Sequence, residues 1–146
     1  MAVWRRRALA LFPQLGRDLN RRDYSVYSLF IDLKPLLRAA LDAGDEVFIR
    51  GVFGFAEWCA LSPNKDLWNP AGVAFYEHLF DYPAYSDQML LLLTSSVVFT
   101  HWPLWGALAP PDEWARVKPM LEEKRAAGER AYQARTKSRR PEPRAE

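Results

Sequence analysis

Residues that begin or end helices punctuate this chain at short intervals, and apolar residues recur between them at helical spacing. From Tyr24 to Ala43 they recur every three or four positions, which predicts an amphipathic helix facing a core. The members of this stripe are Phe30, Leu33, Leu37, Ala40 and Leu41. Gly44 is expected to end the helix, because glycine is favoured just beyond a helix C-terminus. Asp45 then begins a second helix, which stops near Ser62 and Pro63.

Two prolines bear on where helices begin. Pro35 lies within the first stripe, and a helix tolerates proline in its first turn, where an N–H has no intrahelical acceptor. We therefore expect Asp32 to cap that helix. Asn69 followed by Pro70 predicts another helix start, running to about Asp81, since asparagine caps free N–H groups and proline is preset for the first helical position.

The second half of the chain continues this pattern. The segment from about Ser86 to Thr100 is predicted to form one helix. The next segment, His101 to Pro110, is rich in Trp, Pro and Gly and is expected to be a loop. Pro111 opens a last helix, whose acidic first turn suits the helix dipole. Pro119 should kink or divide that helix.

The elements together indicate the fold class. No strand-like segment has hairpin turn chemistry beside it, so the sequence predicts an all-α fold. Five to six antiparallel helices joined by short loops imply an irregular bundle or a short HEAT-like array. Residues 1–123 are expected to form the helical domain. Residues 124–146 are polar and basic, which predicts a helical extension or a disordered tail.

Cysteine usage and hydropathy bear on the compartment. Cys59 is the only cysteine, which excludes an internal disulfide and a multi-thiolate zinc site and fits a reducing compartment. The apolar run from Met89 to Phe99 contains polar breaks and falls short of the roughly 20 residues that a membrane span needs. The apolar run from Ala8 to Phe12 is interrupted too early for a signal peptide. The sequence therefore predicts a cytoplasmic protein that does not enter the membrane.

Charge is unevenly distributed along the chain. Residues 39–115 carry ten acidic and two basic side chains, a net charge of −8. Residues 124–146 carry eight basic and three acidic side chains, and the first 22 residues contain six arginines. An acidic middle therefore lies between basic ends. Such a pattern either keeps a protein soluble or marks a surface that binds a partner.

No pattern of residues indicates catalysis or a cofactor. Cys59 and His78 could form a nucleophile and its base, but each lies in an apolar helical segment, where a lone cysteine usually packs inertly. Glu57, Glu77 and His78 lack the Glu-x-x-His spacing of helical metal sites. Phosphate-binding glycine loops, nucleophile elbows and His-Glu-x-x-His are absent as well. The sequence predicts a protein that is not an enzyme and holds no metal or cofactor.

Two other binding functions stay open. One is association with nucleic acid through a cationic tail, consisting of Arg135, Lys137, Arg139, Arg140 and Arg144. No recognition module accompanies these residues, so a solvated extension is the simpler interpretation. The other is a small-molecule pocket lined by His101 beside Trp102, although two adjacent aromatic residues after a hydrophobic helix more often close the end of a core.

Short motifs follow one another in a recognisable order along the first two thirds of the chain. They are Phe12-Pro13-Gln14-Leu15, Leu36-Leu37, Gly44-Asp45-Glu46-Val47, Phe55-Ala56-Glu57 and Val73-Ala74-Phe75-Tyr76-Glu77-His78-Leu79. Over residues 8–93 this order resembles an uncharacterised family of small helical bacterial proteins found among polymorphic-toxin immunity proteins. The resemblance implies a HEAT-like fold and neutralisation of a cognate protein toxin by tight binding, without catalysis.

The acidic middle of the chain agrees with that implication. Many toxins delivered between bacteria attack nucleic acids and carry basic clefts. An acidic surface can block such a cleft and also increases the rate of association with it. Six carboxylates at predicted helix ends and loops are expected to form the contact face, namely Asp42, Asp45, Glu46, Asp66, Asp81 and Asp87. Trp68 and Trp102 are expected to serve as aromatic anchors. The sequence leaves the oligomeric state and the chemistry of the toxin open.

Overall fold

The computed structural model describes residues 1–138, and its regular structure is helical, with no strand among these residues. The predicted all-α fold is confirmed. The predicted count of five to six helices is not confirmed, because residues 1–138 contain eight α-helices. They are α1 (Val3–Leu11), α2 (Gly16–Leu19), α3 (Val26–Ala43), α4 (Glu46–Ala60), α5 (Lys65–Pro70), α6 (Pro83–Leu90), α7 (Ser95–Leu108) and α8 (Pro111–Ser138). Within residues 1–138, none of the helices combines the length and apolar character needed to cross a bilayer.

Aromatic side chains form the centre of the core where α3 and α4 pack together. The ring of Phe55 on α4 lies 5.8 Å from that of Phe30 on α3 and 5.9 Å from that of Phe12, which follows α1. Phe75 packs against Phe30 at 5.5 Å. Such ring pairs each contribute roughly 0.5–1.5 kcal/mol beyond the area they bury. The cluster therefore fixes α1, α3, α4 and the segment after α5 relative to one another.

Helix α3 begins earlier than predicted. The Ser25 hydroxyl accepts a hydrogen bond from the N–H of Ser28 at 3.2 Å, and the Ser28 hydroxyl accepts one from the N–H of Ser25, which together make a capping box. The predicted cap at Asp32 is wrong, because this residue lies inside the helix and accepts a hydrogen bond from the Tyr24 hydroxyl at 2.7 Å. Pro35 is therefore an interior proline. It is exposed, so the carbonyl that lacks its N–H partner can bond to water.

The predicted helix start at Asn69 and Pro70 is also wrong. The Asn64 side chain caps α5 by accepting a backbone N–H at 2.9 Å, and Pro70 is the last residue of that helix. Proline has no N–H for the bond to residue i−4 that continues an α-helix. The chain therefore changes to a π-helical segment (Ala71–Phe75), which we call the π turn, and then to a 3-10 turn (Tyr76–His78).

The single helix predicted from Ser86 to Thr100 is wrong, because the structure divides it. Helix α6 ends at Leu90, and the Thr94 hydroxyl caps α7 by accepting the N–H of Val97 at 3.4 Å. The chain turns between them, at residues 91 and 92.

The loop predicted from His101 to Pro110 is wrong as well, because α7 continues to Leu108. Pro103 lies inside this helix. Trp105 is fully buried, and its Nε1 donates to the carbonyl oxygen of Tyr76 at 2.7 Å. This tertiary contact stabilises a segment whose composition favours a loop.

Helix α8 begins at Pro111, as predicted, but Pro119 does not divide it. It packs along α7, to which two residues connect it, so the two helices run antiparallel. At Gly128 they approach so closely that a Cβ atom would lie 2.6 Å from the Cβ of Phe99.

The basic C-terminal part of the chain is only partly covered by the described residues. Helix α8 runs through residue 123 and on to Ser138. Arg139, Arg140 and Arg144 of the predicted cationic tail lie outside the described residues. The division of the chain after residue 123 stays a prediction.

Candidate functional site

The turn between α3 and α4 forms an acidic corner. Gly44 adopts a φ angle of +70°, in the left-handed region that favours glycine. Asp45 caps α4 by accepting the N–H of Phe48 at 3.3 Å. The structure confirms both predicted boundaries. Because the turn is this short, Asp42, Asp45 and Glu46 are all exposed close to one another in the chain.

Helix α6 packs beside this corner. The Tyr85 hydroxyl donates to the carboxylate of Asp42 at 2.9 Å, and this bond, together with burial, raises the pKa of Tyr85. A groove of about 240 Å³ lies between the corner and the end of α6. Its walls are formed by Leu41, Gly44, Glu46, Ile49, Arg50, Gln88, Leu91 and Leu92. Of the six predicted carboxylates, Glu46 lines this groove, and Asp42 and Asp45 are exposed beside its lining residues in the chain.

Two large apolar side chains of this region are almost fully exposed. Leu91 lines the groove and is 84% exposed, and Val47, which follows Glu46, is 85% exposed. Val47 points away from the buried side of α4, and Leu91 lies in the turn after α6. We call Asp42, Asp45, Glu46, Val47 and Leu91 the corner surface.

Two of the other predicted carboxylates form bonds within the chain. Asp81 lies 2.8 Å from Nδ1 of His78. Asp87 accepts a hydrogen bond from Arg116 at 2.9 Å, and Arg116 also bonds to Glu113 at 2.6 Å. The second set joins α6 to α8 through charge-assisted hydrogen bonds, which are the stronger kind. These two carboxylates therefore serve the fold, and their contact with a partner stays a prediction.

The last three predicted contact residues lie at other places. Asp66, in the first turn of α5, lines a separate groove near the start of α3. Trp68 is 42% exposed and lines a groove beside α7. The Trp102 ring packs edge-on against Trp114 at 4.9 Å, with the Arg125 guanidinium above it. The eight predicted residues therefore do not share one groove.

The candidate catalytic residues are poorly placed for chemistry. Cys59 is buried, and burial raises the pKa of its thiol to about 12. The thiol therefore stays protonated at neutral pH, whereas the thiolate is the nucleophile. Among the residues that the structure describes, no group of three His, Cys, Asp or Glu side chains is positioned to hold a metal ion. That the chain is not an enzyme and needs no cofactor stays a prediction.

Comparison with known proteins relates the chain to one family. A family described as a domain of unknown function, DUF7674, matches residues 5–96, which is more than half of the chain. The chain belongs to this family. No curated protein and no solved structure matches it.

The DUF7674 match contains the whole corner surface and ends at Ser96, the second residue of α7. Helix α8 and most of α7 lie beyond it. The sequence resemblance implied an uncharacterised family, and this is confirmed. The family's description states no function, so a relation to toxin immunity stays a proposal.

Proposed function

We propose that this chain is an immunity-type protein that binds a cognate bacterial toxin in the cytoplasm and neutralises it without catalysis. The corner surface is the proposed contact, and a short HEAT-like array of antiparallel helices is the proposed scaffold. The observation that carries the proposal is the near-complete exposure of Leu91 and Val47 beside three carboxylates.

An exposed leucine or valine contributes binding free energy when a partner covers it. Full burial of such a side chain contributes roughly 1.5–3 kcal/mol. Contiguous exposed apolar patches with a polar rim mark protein interaction sites. Val47 lies in the first turn of α4, and Leu91 directly follows α6, so ordered helices hold both in place. A partner therefore loses little free energy to ordering this surface.

The carboxylates of the corner surface indicate the charge of the partner. Tyr85 holds Asp42 in position, α4 holds Asp45 as its cap, and Glu46 lines the groove. Interfaces pair patches of opposite charge, which speeds encounter and excludes wrong partners. The proposed partner is therefore a toxin with a basic surface, as expected of one that acts on nucleic acid.

Neutralisation by covering a toxin requires no reactive group on the inhibitor. The chain's single cysteine is buried, with a pKa too high for a thiolate at neutral pH. The buried thiol supports binding over nucleophilic catalysis by Cys59.

Co-expression with the larger protein encoded immediately beside this chain tests the proposal. The wild-type chain should restore growth and co-purify with that protein. Leu91→Lys should lose rescue and bind at least about tenfold more weakly, because an unpaired charge is costly when an interface buries it. Leu108→Lys changes another exposed leucine, at the end of α7, and should rescue growth like the wild type.

The outcomes test the immunity function and the corner surface separately. A wild-type chain that neither rescues growth nor binds any protein encoded beside it would contradict the immunity function. Equal rescue by Leu91→Lys and Leu108→Lys would keep that function and refute the corner surface as the contact. Turnover of a substrate that Cys59→Ala abolishes would refute a role in binding alone.

A further inference from the structure

The groove that Trp68 lines lies between the π turn and α7, and it shares no lining residue with the groove at the corner. Its volume is about 290 Å³, at the lower end of the range of about 300–1,000 Å³ in which small-molecule sites fall. Trp68 and Val73 form one side, and Leu104 lies on α7. The groove is therefore mainly apolar, which is typical of a site for a small organic molecule.

His101 supplies a polar group to this groove. The residue is 5% exposed, and its Nδ1 lies 2.8 Å from the carbonyl oxygen of Val97. Because a carbonyl oxygen only accepts, Nδ1 carries the hydrogen and Nε2 is an acceptor. Nε2 has no hydrogen-bond partner among residues 1–138, yet it is not fully enclosed, unlike the Ser86 hydroxyl. Because His101 lines the groove and Nδ1 is bonded to the Val97 carbonyl, we infer that Nε2 faces the groove.

Two aromatic neighbours hold the imidazole ring in place. It stacks on the ring of Tyr76 at 4.1 Å and lies 5.9 Å from that of Trp105, and both of these residues are buried. Burial also lowers the pKa of His101, so the ring stays neutral at pH 7. The fold thus presents a preorganised, uncharged acceptor at an apolar surface.

The π turn leaves space in front of this acceptor. A Cβ atom added to Gly72 would meet nothing within 4 Å, so this position opens onto the groove. Trp68 is 42% exposed and offers an aromatic face. π-helical segments occur frequently at functional sites.

We propose that this groove binds a small aromatic molecule bearing a single N–H or O–H donor, of the indole or phenol class. Its ring packs against Trp68, and its donor bonds to Nε2 of His101. The site is independent of the proposed toxin contact, because no residue of the corner surface lines this groove.

Indole and 1-methylindole test the proposal on the full-length chain, since the second compound keeps the bicyclic ring but lacks the N–H donor. With ¹⁵N-labelled histidine, indole should shift the Nε2 resonance of His101 and leave that of His78, the other histidine, unchanged. We expect 1-methylindole to bind at least about tenfold more weakly, because it leaves Nε2 covered and unpaired. Equal affinities, or no response of His101 to either compound, would overturn the proposal.

A matched pair of variants locates the site without changing the histidine. Gly72→Leu should fill the groove and reduce indole affinity at least about tenfold, since its side chain occupies the ligand's volume. Gly54→Leu is the control. A Cβ there also meets nothing within 4 Å, but Gly54 lines a different groove. Indole binding by Gly72→Leu equal to that of the wild type would refute the site. Should Gly72→Leu fail to fold, the comparison of the two indoles on the wild-type chain decides.

Discussion

At Gly128, α8 crosses α7 with no room for a side chain. A Cβ atom here would lie 2.6 Å from the Cβ of Phe99 and would also clash with the backbone of Ser95. We expect Gly128→Ala to lower the free energy of unfolding by roughly 1–3 kcal/mol, because overpacking forces the two helices apart. This cost exceeds the roughly 0.5–1 kcal/mol that alanine gains over glycine inside a helix. Urea unfolding followed by circular dichroism measures the change.

Gly106 on α7 provides the matched control for that substitution. A Cβ atom there would lie 3.9 Å from Nε1 of Trp114, an ordinary contact distance. Gly106→Ala should therefore raise the free energy of unfolding by about 0.5–1 kcal/mol through helix propensity alone. If Gly128→Ala proved as stable as Gly106→Ala, the close packing of α7 and α8 would be wrong.

Glu113 makes the stability of the protein depend on pH. Hydrogen bonds from Arg116 hold the pKa of this carboxyl below its usual value of 4.5. The buried Ser86 hydroxyl acts in the same direction, although it forms no hydrogen bond of ordinary geometry. A lowered pKa means that the folded protein binds the proton more weakly than the unfolded chain. The stabilisation is therefore present above the unfolded pKa and is lost as the pH falls through the folded pKa.

We expect the wild type to unfold with a higher free energy than Glu113→Gln at about pH 7, and the difference to shrink progressively below about pH 4.5. Glu122→Gln, an exposed change on the same helix, should behave like the wild type throughout. Denaturation curves collected across this range measure the difference. A Glu113→Gln deficit of constant size from neutral to acidic pH would show that the ion pair is not its cause.

At the scale of elements, α5 allows two asparagines to be compared. Asn64 caps this helix by accepting a backbone N–H at 2.9 Å, whereas Asn69 lies inside the helix before its final proline. Asn64→Ala should lower the free energy of unfolding by about 1 kcal/mol. Asn69→Ala should change it by less than about 0.5 kcal/mol. Thermal unfolding of both variants checks this. A larger loss of stability in Asn69→Ala would support the helix start that the sequence indicated at Asn69 and Pro70.

Local chemistry predicted a helix boundary correctly where one residue decides the backbone conformation. Gly44 adopts the left-handed conformation that few other residues accept, and Pro111 is preset for a first helical turn. Prediction failed where two sites offered similar caps. Asn64 and Asn69 carry the same side chain, and the packing of the finished fold selects between them. That information is absent from a short window of sequence.

Composition misled prediction in the segment from His101 to Pro110. Proline, glycine and tryptophan favour a loop, but the buried ring of Trp105 and its bond to the Tyr76 carbonyl favour a helix. Because Tyr76 lies 29 residues earlier in the chain, no local pattern contains this contact. The groove that His101 lines could not be located before the π turn was placed beside it.

Only part of the candidate site could be predicted from the sequence. The charges of Asp42, Asp45 and Glu46 are visible in the sequence, and the turn at Gly44 places them at the surface. The exposure of the two apolar members, Val47 and Leu91, is not visible in the sequence. Val47 is exposed because it points away from the buried side of α4, and Leu91 is exposed in the turn after α6.

Across the whole molecule, the acidic middle and the basic ends favour different partners. The corner surface lies within residues 39–115, where the net charge is −8, whereas Arg135 and Lys137 lie on the last turns of α8. Toxin binding through the acidic surface and nucleic-acid binding through the basic end would both weaken as salt rises. Substitution of individual carboxylates therefore distinguishes toxin binding from nucleic-acid binding better than a change in salt concentration does.

The double variant Asp45→Asn with Glu46→Gln removes two charges and keeps the cap of α4, since asparagine caps as well as aspartate. We expect its association rate with a basic toxin to fall roughly tenfold at low salt, with little change in dissociation, because rim charges mainly steer encounter. Its thermal midpoint should match that of the wild type, and raising the salt should bring the two association rates together. Surface plasmon resonance over a range of salt concentrations measures both rates. Equal association rates for the variant and the wild type at low salt would show that the acidic corner does not steer the encounter. Nucleic-acid binding that the variant retains would favour the basic end of the chain instead.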